Sequence, residues 1–273
     1  MSVWGTLASH AQRASILSEI FTLAGLPFGM PRGTKITCEA GADGSLAPLL
    51  NETGGNAKTK CVDALIKWPD AFVAVESKFT EPSFGVCGQV RRRTDRPPDG
   101  PRTKPVSLPA ACDGTYGAGS DHKTHTRAPC RLQTWDGTRA PRLYWQMAWE
   151  LFRPEVLVPD GRPCPFAGPS FQLMRNLALA RAAAAPYSKR EDRGKPPVVK
   201  QRQWGLLVAH VGAHPVASGH RREIDAFKKL LLPEVRERVG LVSYEQINQV
   251  LREHSLGELA AWIDQRIAAA LAS

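Results

Sequence analysis

The chain contains no run of apolar residues approaching the roughly 18 that a membrane-spanning helix needs, and it opens without the basic-then-apolar layout of a secretory signal. A soluble cytoplasmic protein with no membrane partner is therefore expected. CxxC pairs are missing too. The six cysteines, Cys38, Cys61, Cys87, Cys112, Cys130 and Cys164, are scattered through a chain large enough to fold without staples, so reduced thiols are expected rather than a disulfide framework. No internal repeat is found. Acidic residues are in short supply: 26 Asp+Glu stand against 36 Lys+Arg, leaving +10 and a sequence pI near 9.6. That balance favours polyanionic partners such as nucleic acid.

What is present is a chain of 273 residues, 42% hydrophobic and 23% charged, which can bury a real core and is not disordered throughout. Gly 23 and Pro 22 exceed average usage without reaching low complexity, so collagen and coiled coil are excluded and long irregular connections are expected. Residues 9–26 carry Ile16, Leu17, Ile20, Phe21 and Ala24 at helical spacing, with Ser9 and Ser15 as possible caps. From Cys61 to Phe79 two β-prone runs flank Trp68-Pro69-Asp70-Ala71, whose Pro and Asp suit a tight reversal, and this reads as a hairpin. Periodicity then vanishes over about 90–142, a long basic loop or insertion. Helices follow at 144–152 and 171–185, a basic stretch at 188–202, and a short Val/Leu-rich run at 204–211 that suits a buried strand. The tail alternates: a helix over 223–232, a strand over 239–242, a helix from Ser243 and a last helix from Ser255. Ser243 with Gln246, and Ser255 with Glu258, have capping-box spacing. This order specifies a single α/β domain over 1–273, most simply a mixed central sheet flanked by helices.

The hairpin carries the chemistry. Glu76 and Lys78 lie two apart on one strand and so share a face. A symmetric turn centred on Pro69 and Asp70 sets Asp63 of the partner strand opposite Glu76, with Cβ atoms about 4.5–5.5 Å apart. Two carboxylates that close repel, and one is pushed toward its protonated form unless a cation intervenes. Hard oxygen ligands of this kind suit Mg²⁺ or Mn²⁺, which retain waters and take one or two carboxylates together with substrate phosphate oxygens. Such an ion polarises a phosphoryl oxygen and acidifies a bound water. Lys78 is placed to orient that water or to offset charge on the phosphorane. The layout suits phosphodiester hydrolysis.

Asp63, twelve intervening residues, then Glu76-Ser77-Lys78, set in VDALIKWPDAFVAVESKFTEP, resembles the D-x(n)-(D/E)-x-K signature of the PD-(D/E)xK nuclease superfamily. The resemblance is firm over about residues 60–82. It departs from the family at the position before the first acid, where Val62 replaces the usual Pro. It implies a restriction-endonuclease-like core, with Asp63 and Glu76 holding the metal, Lys78 acting in catalysis, and DNA as the substrate. It also implies a further acid on or just after the first helix, for which Glu19 or Glu39 is available, Glu39 on an adjacent strand. Some members place a Gln on a helix after the E-x-K strand, which singles out Gln172, with Arg175 or Asn176 beside it facing a phosphate.

Three other features complete the reading. Cys112, His122, His125 and Cys130 form C-x9-H-x2-H-x4-C inside the 90–142 loop, a candidate structural Zn²⁺ site. Arg91, Arg92, Arg93 and Arg96, followed by Arg102 and Lys104, are candidate phosphate contacts. Two rival functions stay open: a non-catalytic nucleic-acid-binding protein on the same fold, and a zinc-stabilised interaction module. Oligomeric state is not legible from sequence.

Overall fold

The computed structural model describes residues 2–40, 46–50, 62–87, 143–157, 163–184 and 202–272, together with the short strands β4 (Arg93–Asp95) and β5 (Val106–Leu108), which pair antiparallel. The main sheet has five strands: β1 (Lys35–Ala40), β2 (Val62–Trp68), β3 (Ala71–Lys78), β6 (Gln203–His210) and β7 (Val239–Ser243). They lie in that spatial order, antiparallel from β1 to β3 and parallel from β3 to β7. The helices are α1 (Val3–Ser9), α2 (Arg13–Leu23), α3 (Tyr144–Leu151), α4 (Pro154–Leu157), α5 (Ser170–Ala183), α6 (Ala217–Leu230), α7 (Pro233–Arg236), α8 (Tyr244–Glu253) and α9 (Gly257–Leu271). The result is the expected α/β architecture, a mixed sheet with helices on both faces. Among the described residues no helix is long and apolar enough to cross a membrane.

Each sheet face has its own core. Leu65, Phe72, Ala74, Leu206 and Val208 point toward α5 and α6 and pack on Leu173, Leu177, Ala180, Ile224 and Phe227. Ala64, Ile66, Val73, Val75, Leu207 and Ala209 point the other way, under α1, α2, α8 and α9. Strand β6 is buried on both sides, which explains why its sequence is a continuous apolar run and not an alternation. Gly240 of β7 lets the end of α2 come close: a Cβ there would lie 2.6 Å from Leu26 Cγ and 2.8 Å from the Ala24 carbonyl oxygen.

The hairpin forms with the expected offset. Trp68 pairs with Ala71 across Pro69-Asp70, and the ladder runs back to Ala64 opposite Val75. At Ser243 the capping box also forms, with Gln246 N–H donating to Ser243 Oγ (3.2 Å) and Ser243 N–H to Gln246 Oε1 (2.9 Å).

Three local expectations are corrected, and one strand is added. The helix expected over 9–26 is the shorter α2, which neither Ser9 nor Ser15 caps, and a separate helix, α1, precedes it, capped by Ser2 and ended where His10 turns extended. Strand β1 was visible beforehand only as a place for Glu39. Helix α6 begins at Ala217, six residues before the expected start at 223, because burial of Ala217, His220, Ile224 and Phe227 along one side outweighs the weak helix formers around Gly219. The capping box at Ser255 does not form. Ser255 has φ +60 and serves as the left-handed residue ending α8, with Leu256 N–H donating to the Leu251 carbonyl (2.8 Å) and Ser255 N–H to that of Arg252 (3.1 Å). A residue so used cannot adopt the extended backbone of an N-cap, and α9 starts at Gly257 without a side-chain cap.

Candidate active site

Strands β2 and β3 bring Asp63, Glu76 and Lys78 to one end of the α5 face. Asp63 and Glu76 stand next in line beyond the Ala64–Val75 pair, and Asp63 Oδ2 accepts the Ser77 N–H at 2.6 Å. Lys78 Nζ lies 2.9 Å from Glu76 Oε1. Glu76 is 3% exposed and Lys78 7%, whereas the Asp63 side chain opens to solvent at the rim.

Helix α5 closes over Glu76 with two amides one turn apart. Gln172 Nε2 donates to Glu76 Oε1 at 2.6 Å and Asn176 Nδ2 to Oε2 at 2.8 Å. Each amide is itself oriented. Gln172 Oε1 accepts the Gly85 N–H at 2.6 Å, and Asn176 Oδ1 accepts from Arg175 Nη1 at 3.2 Å. Gln172 thus lies against Glu76, whereas Asn176 and Arg175 are both buried and turned from solvent.

Burial, followed by the charge of Asp63, raises the pKa of Glu76 against the pull of Lys78 and Asn176. Burial of its protein side raises Asp63 as well, opposed by the Ser77 N–H and by Lys78. The acids are therefore costly to ionise together, and a divalent cation between them would offset that cost. The donor set fits such an ion: Glu76 Oε2 carries one hydrogen bond, and Asp63 Oδ1 carries none among the described residues. No group of three His, Cys, Asp or Glu side chains forms a ready-made metal cage among the described residues. Two acids are nevertheless what a Mg²⁺ keeping several waters requires.

Glu39 lies on β1 between the pairs Cys38–Ala64 and Ala40–Val62, hence across from Asp63, with φ +45 and its side chain exposed. Its charge is felt at Asp63, as is that of Glu81. Glu19 is not in the site; it pairs with His254 Nε2 at 2.8 Å on the α2–α8 side. Cys112, His122, His125 and Cys130, and Arg91, Arg92 and Arg96, lie outside the described residues, and of Arg93 only its backbone in β4 is described.

Sequence reasoning missed a buried histidine pair beside Lys78. His210 is the register neighbour of Lys78 on β6, and its ring centroid is 5.9 Å from that of His220 on α6. His220 Nε2 meets the Glu81 carbonyl at 2.7 Å, while the Nδ1 atoms of both rings have no partner among the described residues. Burial, then the proximity of His220, lowers the His210 pKa to about 4. The available signal was a lone His ending an apolar strand level with the end of E-x-K.

No curated protein and no solved structure matches the chain. A family model described as "Restriction Endonuclease associating with ARP" matches residues 50–273, a span that contains β2, β3, α5 and β6 and with them Lys78, Gln172 and Asn176, the polar partners of Glu76 among the described residues. With its mixed sheet, its helices on both faces and this match over most of its length, the chain belongs to that restriction-endonuclease family.

Proposed function

We propose that the protein is a metal-dependent nuclease of the PD-(D/E)xK type that hydrolyses phosphodiester bonds of DNA in the cytoplasm. The observation that carries this reading is the convergence of Asp63, Glu76 and Lys78 on one end of one sheet face in a member of a restriction-endonuclease family. Asp63 and Glu76 would hold Mg²⁺ or Mn²⁺, with Glu39 and Glu81 adding negative potential at the rim. When bound, the ion supplies a polarised phosphoryl oxygen and an acidified water. The chain does the positioning. Gln172 and Asn176 hold the Glu76 carboxylate in one orientation, and Lys78 brings a cation to the edge of the site where charge builds on the reacting phosphate.

A second reading, DNA binding on the same fold without cleavage, draws on the near-complete burial of Glu76 and Lys78. Plasmid and single-stranded DNA incubated with wild type, Asp63→Ala and Lys78→Ala, with Mg²⁺ or with chelator, separate the two. Cleavage that needs Mg²⁺ and is lost in both variants is expected. Equal behaviour of all three proteins under every condition removes the catalytic reading.

A further inference from the structure

One row of the main sheet, at the opposite end of β3 from Glu76, is built from cations over aromatic rings. Across the strands it reads Lys35, Lys67, Phe72, Trp204, each directly paired with the next. Because Phe72 and Glu76 are separated by an even number of residues, the row shares the α5 face with the candidate site, about 13 Å along the strand from it. Lys67 Nζ lies 5.3 Å from the Phe72 centroid and Arg202 Cζ 5.6 Å from the same ring. Arg238 and Arg181 stack on Trp204 at 4.9 and 6.0 Å.

Two of these cations have acids at hand: Arg181 pairs with Glu150, and Glu237 acts on Arg238. Lys35, Lys67 and Arg202 form no ion pair among the described residues. Lys35 and Lys67 stand directly opposite one another on an antiparallel ladder, an arrangement of like charges that destabilises a sheet. Long basic side chains lying over rings are common as simple coverage of apolar surface. Coverage alone, however, gives no reason to set two lysines face to face at a net cost. An external polyanion does.

We propose that this row is a second DNA-contacting surface, apart from the candidate active site, which grips the phosphate backbone without reading sequence. Its four positions span three strand spacings, about 14 Å, and one DNA strand presents a phosphate about every 3.4 Å of axis, so roughly four phosphates face it. Guanidinium groups are planar by delocalisation, a shape that suits paired phosphate oxygens, and stacking on Phe72 and Trp204 limits the freedom of Arg202, Arg238 and Arg181. The inference needs the DNA partner of the nuclease reading but none of its chemistry.

The test measures binding of a labelled duplex to the full-length protein in chelator, as a function of salt, for Lys35→Ala/Lys67→Ala. Arg252→Ala/Arg266→Ala on the opposite sheet face serves as a control of equal charge. Each lost phosphate contact lowers the slope of log K against log salt by about 0.9. The row variant is therefore expected to lose about 2 from the slope and the control less than 1, with Lys35→Arg/Lys67→Arg retaining the wild-type slope. Relief of the lysine repulsion predicts that the row variant melts no lower than wild type, which separates lost contacts from lost fold. An unchanged slope in the row variant, or an equal loss in the control, overturns the proposal. Cleavage does not enter, so a protein that binds DNA through the row but fails to cut it refutes the nuclease reading alone.

Discussion

Replacing Asn176 by Leu tests whether α5 sets the ionisation of Glu76. The substitution keeps the branched shape at a buried position, though Leu is the larger side chain, and deletes both the N–H that Glu76 Oε2 receives at 2.8 Å and the oxygen that accepts from Arg175. A hydrogen bond to a charged group contributes about 1.5–3 kcal/mol, and this one favours the ionised carboxylate. Its loss therefore moves the Glu76 titration midpoint upward, adding to the rise that burial and Asp63 already impose. The direct assay follows the Glu76 carboxyl carbon by NMR, assigned through Glu76→Gln. Mg²⁺ titrations across pH are the functional counterpart. A metal binds the deprotonated form, so affinity should be lost below the raised midpoint and recover above it. A midpoint that stays put, or an affinity loss of the same size at every pH, would refute the reasoning.

Other outcomes follow from the same structure. The His210 pKa lies near 4 in the fold against an ordinary 6.5, so between those values the unfolded chain binds the extra proton and stability rises with pH. His210→Phe should flatten that rise by about 3 kcal/mol in urea unfolding at pH 4 to 7, and a pH dependence identical to wild type would count against a neutral buried ring. Asp63 and Glu76 have the opposite sign. Their raised values supply stability that is present in acid and lost as pH rises through the folded pKa. Asp63→Asn should accordingly melt no lower than wild type at pH 8 in chelator while losing the stabilisation conferred by Mg²⁺; retention of the Mg²⁺ response would show that the ion binds elsewhere. Gly240→Ala forces a methyl against Leu26 and the Ala24 carbonyl and should cost about 1–3 kcal/mol in denaturant unfolding, whereas a neutral result would mean that α2 can shift away from β7.

The parts of this fold legible in the sequence are those whose information is local. The hairpin could be placed because its turn residues and both strands lie within residues 62–78, and the offset of the turn alone set Asp63 beside Glu76. Strand β6 was legible as a continuous apolar run and α8 through its capping box. Strand β1 was obscure because KITCEA is short and pairs with a segment more than twenty residues downstream. Asn176 reaches Glu76 across 100 residues of chain; nothing near it in sequence distinguishes an amide that clamps a carboxylate from one that faces water. Ser255 shows the limit of motif spacing, since one residue cannot both end α8 in the left-handed region and cap α9.

The family match begins at residue 50, yet α1, α2 and β1 all precede that point. Helices α1 and α2 pack on one sheet face beside α8 and α9, β1 forms the sheet's edge, and Trp4 Nε1 reaches forward to Ser77 Oγ, between Glu76 and Lys78, at 3.3 Å. A fragment trimmed to the homologous region would bare the outer edge of β2 and leave Ile66, Val73 and Val75 without their lids, a surface prone to pairing with a second copy of itself. The smallest piece of this chain expected to stand alone in solution is therefore longer than the stretch that the family model matches.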